Sequence, residues 1–396
     1  MGITSAPSAA RATTQWTATG SSANPDAHSA GAEVASAALS GDDPKLLVVF
    51  SSEAYDLAQL LAGVHEVAGE VPVIGCTTAG EIAAAGPGSL SVVAMAIGGP
   101  GFDVRTASAS AEGGLRGASA EVAMSAARLG PSAHRVLLVL SDGLGGDQQE
   151  VVRGAYSVLG AQVPLVGGCA GDDLKMKSTW QFYGQRVLNN TVVAAAIGST
   201  GPIGIGVEHG WRAVGDPMVV TASEGNRVLA LDDQPALSAY LKRLGAPVAV
   251  HDDAEAFTHF AMTHPLGLSR RGGDEVRFVA GADFSDGSLN CIAAVPQGSM
   301  VRIMEGDSRS VLGATNVACE NALAGLEGRA PLGVLAFDCI ARKGVLGDDG
   351  IVAEVERIAT YAAGAPLAGF YTYGEFARTH GLNGFHNQTL VVVAFA

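Results

Sequence analysis

At 396 residues the chain is long for one domain and long enough to bury more than one core. A hydrophobic share of 48%, 53 glycines and only 16% charged residues exclude a largely disordered chain and fit an α/β protein with apolar strands and many tight turns. The net charge of −15, with only 24 Lys and Arg, argues against nucleic-acid and anionic-membrane partners. Five cysteines without a CxxC or a Cys/His ladder argue against a disulfide framework or a structural zinc site, and point to a reducing, cytoplasmic compartment.

Residues 1–38 are rich in Ala, Ser, Thr and Gly, lack the apolar stretch of a signal peptide, and read as a disordered tail. No segment approaches the roughly 20 apolar residues of a spanning helix. The first structured pattern is a strand from Leu46 to Phe50, then a helix from Tyr55 to Val67 whose Leu57, Leu60, Leu61 and Val64 share one face. A strand from Val71 to Gly75, a Gly-rich turn, and strands around Leu90 to Ile97 and Phe102 to Ala107 follow. A helix from Glu121 to Leu129 leads to a second set: strand Arg135 to Leu140, helix Glu150 to Leu159, strand Val163 to Val166, and strands near Thr179 to Leu188, Thr191 to Ile197 and Ile203 to Val207. After Trp211 come hairpins around Glu224-Gly225-Asn226, Ser285-Asp286-Gly287-Ser288 and Pro296-Gln297-Gly298-Ser299, a helix from Pro235 to Leu244, and a polar loop from Ser269 to Glu275. A helix from Ser308 to Leu326 precedes a third set, with strands Val334 to Phe337 and Leu390 to Phe395.

Three segments share one wording: Val71-Pro72-Val73-Ile74-Gly75-Cys76-Thr77-Thr78-Ala79-Gly80-Glu81, Val163-Pro164-Leu165-Val166-Gly167-Gly168-Cys169-Ala170-Gly171-Asp172-Asp173, and Ala365-Pro366-Leu367-Ala368-Gly369-Phe370-Tyr371-Thr372-Tyr373-Gly374-Glu375. Each sits between an upstream and a downstream apolar run, so the chain is expected to reuse a unit of strand, helix, strand, Gly-rich turn and strand. The expected fold class is α/β: two domains with mixed β-sheets covered by helices, over 39–212 and 213–396. A dinucleotide or P-loop fold is not expected, since no GxGxxG with a following acidic residue and no GxxxxGK[ST] occurs.

The same Gly-rich segments, with Phe182-Tyr183-Gly184, resemble the N-terminal half of the FIST family. Thr263-His264-Pro265-Leu266-Gly267-Leu268, Asp286-Gly287-Ser288-Leu289, Val295-Pro296-Gln297-Gly298, Gly369 to Phe376 and His386-Asn387-Gln388-Thr389-Leu390 resemble its C-terminal domain. The resemblance implies a bacterial sensory module in signal transduction that binds a small molecule, such as an amino acid or similar metabolite. Some family members are similar to haem-based nitric-oxide sensors that regulate histidine kinases, so it also admits haem b and a histidine kinase partner. The sequence ends inside the family's last strand, and output is therefore expected to act in trans.

The Gly-rich turns are the first candidates for a ligand site. Gly75, Gly80, Gly168 and Gly374 let backbone amides approach a ligand, and Thr77, Thr78 and Thr372 add hydroxyls, with Tyr373 and Asn387 beside the third turn. The alternative is that these glycines only permit tight packing between repeats. Glu81, Asp172, Asp173 and Glu375 end the turns; they are candidates to receive an amino group, to brace a neighbouring turn, or to serve a hydrolase or transferase as acid and base. Arg270 and Arg271, adjacent on a Gly-flanked loop, form the best anion clamp, and Arg277 on the following strand is expected to turn from its apolar neighbours towards the same crevice. His264, among Phe260, Leu266 and Leu268, and His386 are the candidate axial ligands of a haem. No metal site is expected, because the spacing of Asp142, Asp147, Asp172 and Asp173 matches no EF-hand, and no GxSxG surrounds Ser141 to suggest an enzyme.

Overall fold

The computed structural model describes residues 15–270, 273–378 and 384–396. Three sets of elements succeed one another. The first is β1 (Trp16–Ser22), α1 (Ala27–Ala38), β2 (Pro44–Ser51), α2 (Leu57–Ala68), β3 (Val73–Thr77), β4 (Glu81–Ala83), β5 (Gly86–Gly88) and β6 (Val92–Gly98). The second is β7 (Phe102–Ser110), α3 (Leu115–Ala123), β8 (His134–Ser141), α4 (Gln149–Leu159), β9 (Leu165–Cys169), β10 (Gln181–Tyr183), β11 (Arg186–Leu188) and β12 (Thr191–Ser199). The third opens with β13 (Ile203–Glu208) and is then interrupted by β14 (Arg212–Glu224), β15 (Arg227–Leu231), β16 (Gln234–Pro235), α5 (Ala236–Leu244), α6 (Ala254–Ala261), β17 (Leu266–Arg270), β18 (Gly273–Arg277), β19 (Val279–Asp283), β20 (Ser288–Cys291) and β21 (Met300–Glu305). It resumes with α7 (Ser308–Ala324), β22 (Gly333–Cys339), α8 (Ile340–Ala362), β23 (Leu367–Thr372), β24 (Glu375–Arg378), β25 (Phe385–His386) and β26 (Leu390–Phe395).

The three sets give three six-stranded sheets of one design, ordered β1-β6-β2-β3-β10-β11, β7-β12-β8-β9-β24-β25 and β13-β26-β22-β23-β4-β5. In each, two parallel strands joined by a helix lie at the centre and all other pairings are antiparallel. The outer hairpin of each sheet is donated by another set: β10–β11 completes the first sheet, β24–β25 the second and β4–β5 the third. This cyclic exchange ties the three sheets into a ring. Strand alternation follows the ring: Leu46, Val48 and Phe50 face a core shared by all three sheets, while Leu47 and Val49 lie under α1 and α2. In the shared core Phe50 of the first sheet meets Phe370 of the third at 4.6 Å between ring centroids. The fold is thus α/β with mixed sheets whose outer faces carry helices.

The interruption forms an eight-stranded antiparallel sheet, β18-β17-β21-β14-β15-β20-β19 with β16 beside β15, over its own core of Met218, Val220, Tyr240, Phe257, Leu266 and Ile303. It begins at Arg212, but the expectation of one continuous domain over 213–396 is corrected by the return of α7 to β26 to the ring. The chain therefore has two domains, one built inside the other. The turn expected at Pro296–Ser299 is not a hairpin, since β20 pairs with β15 and β19 while β21 pairs with β14 and β17.

The tail expected over 1–38 is corrected over its described part, where β1 and α1 belong to the first sheet. Composition misled because α1 gains its stability from closeness: a Cβ on Gly31 would lie 2.1 Å from the Leu60 carbonyl oxygen, and one on Gly63 would lie 2.0 Å from that of His28. Small residues let α1 and α2 pack nearly backbone to backbone, and the Asp26 carboxylate caps α1 by accepting from the Ser29 amide at 2.8 Å. Residues 1–14 lie outside the described residues. Among those described, no helix is long and apolar enough to cross a membrane.

Candidate functional site

The Gly-rich turns follow β3, β9 and β23 and meet where the three sheets converge, joined by one repeated contact. The Ala79 amide donates to the Tyr371 carbonyl (2.9 Å), the Gly171 amide to that of Thr77 (3.0 Å), and the Tyr373 amide to that of Cys169 (3.2 Å). The turns pack closely: Thr77, Thr78, Glu81, Glu375 and Asp172 are all buried, and a Cβ on Gly171 would lie 2.9 Å from the Ala79 nitrogen. On Gly168 a Cβ would lie 2.6 Å from the Thr372 methyl. Gly75 lies within β3 against Phe182, and Gly80 adopts φ 120° between Gly88 and Tyr371. These positions weld the sheets together.

The turn-end glutamates brace that weld. Glu81 accepts from the Thr78 hydroxyl at 2.5 Å and the Ser91 hydroxyl at 2.6 Å. Glu375 accepts from the Thr372 hydroxyl, and from the hydroxyl (2.7 Å) and amide (3.2 Å) of Thr389. Burial raises both carboxyls above their ordinary range, Glu375 to about 7, with the hydroxyl donors pulling the other way. In the second turn the equivalent residue by register is not an aspartate but Gln181, which faces Cys76 as Glu375 faces Gly168 and Glu81 faces Phe370. Its side-chain oxygen accepts from the Thr191 amide at 3.3 Å.

The longer second turn displaces Asp172 and Asp173 from that position. Asp172 accepts from the amides of Met176 (3.0 Å), Lys177 (2.6 Å) and Ser178 (3.1 Å), and from the Tyr373 hydroxyl at 2.5 Å. Burial opposes them, yet these donors hold its carboxyl below the ordinary range. Tyr373 also receives the Leu174 amide at 2.6 Å, so it fastens this loop to the third turn. Asp173 is exposed at φ 53°.

A second polar assembly lies where the inserted sheet meets the ring. Arg277, expected to face a ligand crevice, is buried; it pairs with Glu275 at 3.3 Å and donates to the carbonyls of Ala294 (3.2 Å) and Phe385 (3.4 Å). The segment after Phe385 carries His386, Asn387 and Gln388. Gln388, at φ 55°, donates to the Met262 carbonyl of the inserted domain at 2.8 Å, and its own carbonyl accepts from the Trp211 indole at 3.1 Å. The buried side-chain oxygens of Asn387 and Gln388 find no hydrogen-bond partner among the described residues. The Asn387 amide nitrogen lies 3.3 Å from where a Cβ on Gly374 would stand. Burial lowers the pKa of His386 and of His209 at the end of β13, with Glu275 and Glu208 respectively opposing. Thus Tyr373, Gly374, Glu375 and Asn387 gather at the third turn. Arg270 ends β17 opposite Gly273, its side chain lies outside the described residues, and Arg271 lies outside them altogether.

Beneath this junction is a cluster that the sequence reading missed. Arg342, fully buried on α8, bonds Asp338 at 2.7 Å, Glu354 at 2.5 Å, the Thr315 hydroxyl at 3.1 Å and the His209 carbonyl at 3.2 Å. Burial and the neighbouring Glu354 raise the Asp338 carboxyl well above its ordinary range. The available signal was an Asp and an Arg four residues apart at a strand-to-helix junction.

The two candidate haem histidines are both held by backbone carbonyls. The His264 ring stacks on Phe260 at 4.2 Å and its Nδ1 lies 2.7 Å from the Phe260 carbonyl, while His386 Nε2 lies 3.1 Å from the Ala377 carbonyl. The Ala377 carbonyl occupies Nε2 of His386, whereas the Nδ1 bond of His264 is one that a metal-bound imidazole also makes. Among the described residues no group of three or more His, Cys, Asp or Glu is arranged to hold a metal ion.

Two family models together match most of the chain. The FIST N domain matches residues 45–234 and the FIST C domain residues 236–378, and the chain belongs to the FIST family. FIST domains are associated with signal transduction and small-ligand sensing rather than catalysis. The models divide the chain inside the inserted sheet, between β16 and α5. The chain is similar to an uncharacterized protein of Mycobacterium tuberculosis, 26% identical over 400 residues that cover 95% of this chain and 98% of the relative. An uncharacterized protein of Mycobacterium bovis is 27% identical over 240 residues (58% and 60%), and one of Methanocaldococcus jannaschii is 28% identical over 131 residues (31% and 25%).

Proposed function

We propose that this protein is a cytoplasmic bacterial sensor, not an enzyme, that binds a small metabolite such as an amino acid at the junction of the inserted sheet with the third turn. The single observation that carries the reading is the pair of buried, unpartnered amide oxygens on Asn387 and Gln388. Leaving such groups unbonded costs about 1–3 kcal/mol each, and a ligand N–H or O–H removes that cost. The bonds from Arg277 to Phe385 and from Gln388 to Met262 cross the junction, so a ligand that favours one spacing of the two domains shifts a pre-existing equilibrium between them. Output is then read by a partner in trans, a histidine kinase or another signalling protein. The buried state of all five free cysteines is compatible with a reducing compartment.

The test is a thermal-shift screen of amino acids and organic acids, repeated on Asn387→Ala. A ligand present at 100 times its Kd should stabilise the wild type by roughly 2.7 kcal/mol, and the variant should bind it at least tenfold more weakly while giving the same melting curve without ligand. A ligand that binds both forms equally removes the junction from the proposal.

A further inference from the structure

The three sheets are not equal at the position facing the turn-end acid or amide. Register places Leu188 opposite Gln181, His386 opposite Glu375, and Gly88 opposite Glu81. Only the last of these has no side chain. A Cβ on Gly88 would stand 2.2 Å from the Ser91 hydroxyl oxygen and 3.3 Å from Glu81 Oε2, so glycine there leaves the approach to the carboxylate open. The result is a cleft of about 220 Å³ between the end of β1 and the β4–β5 hairpin, bounded by Ser21, Ser22, Ala23, Glu81, Gly88 and Ser91. At about 30 Å³ per water, that volume admits a solute of several heavy atoms.

The chemistry of the lining chooses the solute. Glu81 is 1% exposed, and its oxygens accept from Thr78 and Ser91, which leaves acceptor capacity on a group with roughly four lone-pair sites. None of the residues bounding the cleft is basic. At the mouth, the Ser22 hydroxyl donates at 2.6 Å to a second carboxylate, Glu33, which Asn24 also holds at 2.7 Å. Anions are repelled by this surface, and neutral solutes gain nothing from its charge. We infer that the seam between the first sheet and the β4–β5 hairpin of the third carries a second small-ligand site, in which a small N–H-bearing cation, an alkylammonium or guanidinium ion, seats against the Glu81 carboxylate between the Ser22 and Gly88 walls. Burial is the first cause of the raised pKa of Glu81, and a bound cation offsets that cost of charge by direct attraction.

The probes are methylammonium, ethylammonium and guanidinium chlorides in the millimolar range, at ionic strength held constant with sodium chloride, followed by amide spectra of the isotopically labelled full chain and by calorimetry. Saturable shifts centred on the amides of Ser22, Gly86, Gly88 and Ser91 are expected, and tetramethylammonium, which has no N–H, should produce none. Glu81→Gln should weaken binding at least tenfold, and the first sheet already accommodates glutamine at the equivalent position. Gly88→Ala should do the same by filling the approach, while leaving the carboxylate in place. Absence of saturable shifts, an equal response to tetramethylammonium, or wild-type affinity in either variant overturns the inference. Neither substitution lies at the Asn387 junction, so this result stands apart from the outcome of the metabolite screen.

Discussion

Glu375 shows how one side chain sets a pH response. Its carboxyl is fully buried and its pKa stands at about 7 against an ordinary value of 4.5, burial being the largest cause. A raised acid pKa means that the folded chain holds the proton more tightly than the unfolded chain, so the stabilisation is complete below 4.5 and is lost as pH rises through 7. The loss is on the order of 3 kcal/mol, at 1.36 kcal/mol per pKa unit. Glu375→Gln, which copies the role of Gln181, should flatten urea-derived stability between these pH values and make the variant the more stable form at pH 8 by about that amount. An unchanged pH profile would mean that Glu375 is not the titrating group. Sequence displayed Glu81 and Glu375 clearly, as acids closing a shared motif. It pointed to Asp172 for the second turn because linear alignment cannot anticipate that a longer loop hands the position to Gln181. Asn387 was legible as a candidate, but the missing partner of its oxygen belongs to three-dimensional packing.

Among the elements, α1 and α8 make opposite demands. The close approach of α1 to α2 has no room at Gly31, so Gly31→Leu should cost at least about 2–3 kcal/mol through overpacking and displace α1 from the first sheet. Urea unfolding and faster amide exchange along Trp16–Ser22 would register it, and a variant as stable as wild type would refute this packing. The length and hydrophobic periodicity of α2 were readable, whereas α1 was hidden because small residues confer packing without apolar signal. α8 instead holds its charge in the interior, and Gly347, at φ 67° and ψ −178°, divides the Arg342 side of the helix from Glu354. Arg342→Met strands two carboxyl groups without their guanidinium and should cost about 3–5 kcal/mol. Adding Asp338→Leu and Glu354→Leu should recover most of that stability, since the cost lies in unpaired charge rather than in lost volume. A triple variant no more stable than Arg342→Met would show instead that the cluster's hydrogen bonds to Thr315 and His209 dominate.

At the scale of the whole molecule, the strands and helices of each set follow from local pattern, but the exchange of hairpins among sheets does not. β4 follows β3 of its own set by only a few residues, yet its partner β23 lies almost 300 residues on; no periodicity encodes such pairing. The inserted domain presents the complementary case, because its boundary residues disclose how it can be removed. Arg212 and Glu305 are cross-strand partners, so the two points where the insertion leaves and re-enters the ring lie side by side, about 5 Å apart for antiparallel neighbours. The inserted core is composed of residues 218–303, and the core shared by the three sheets draws none of its members from that range, whereas Val276 and Ala293 join the ring's second core. Replacing residues 213–304 by a short glycine-serine link should therefore leave a ring that unfolds cooperatively, with a smaller urea m-value in proportion to the lost surface. The same excision removes Arg277 and Met262, and with them the bonds to Phe385 and Gln388, so it should abolish stabilisation by whatever metabolite the intact chain binds. The cation response at Glu81 should persist, because that cleft is built entirely from the first set and closed by the ring. A ring that retains metabolite binding would place the sensory site wholly within the three sheets, and a chain that fails to fold would make the inserted domain a structural partner of the ring rather than a mobile cover upon it.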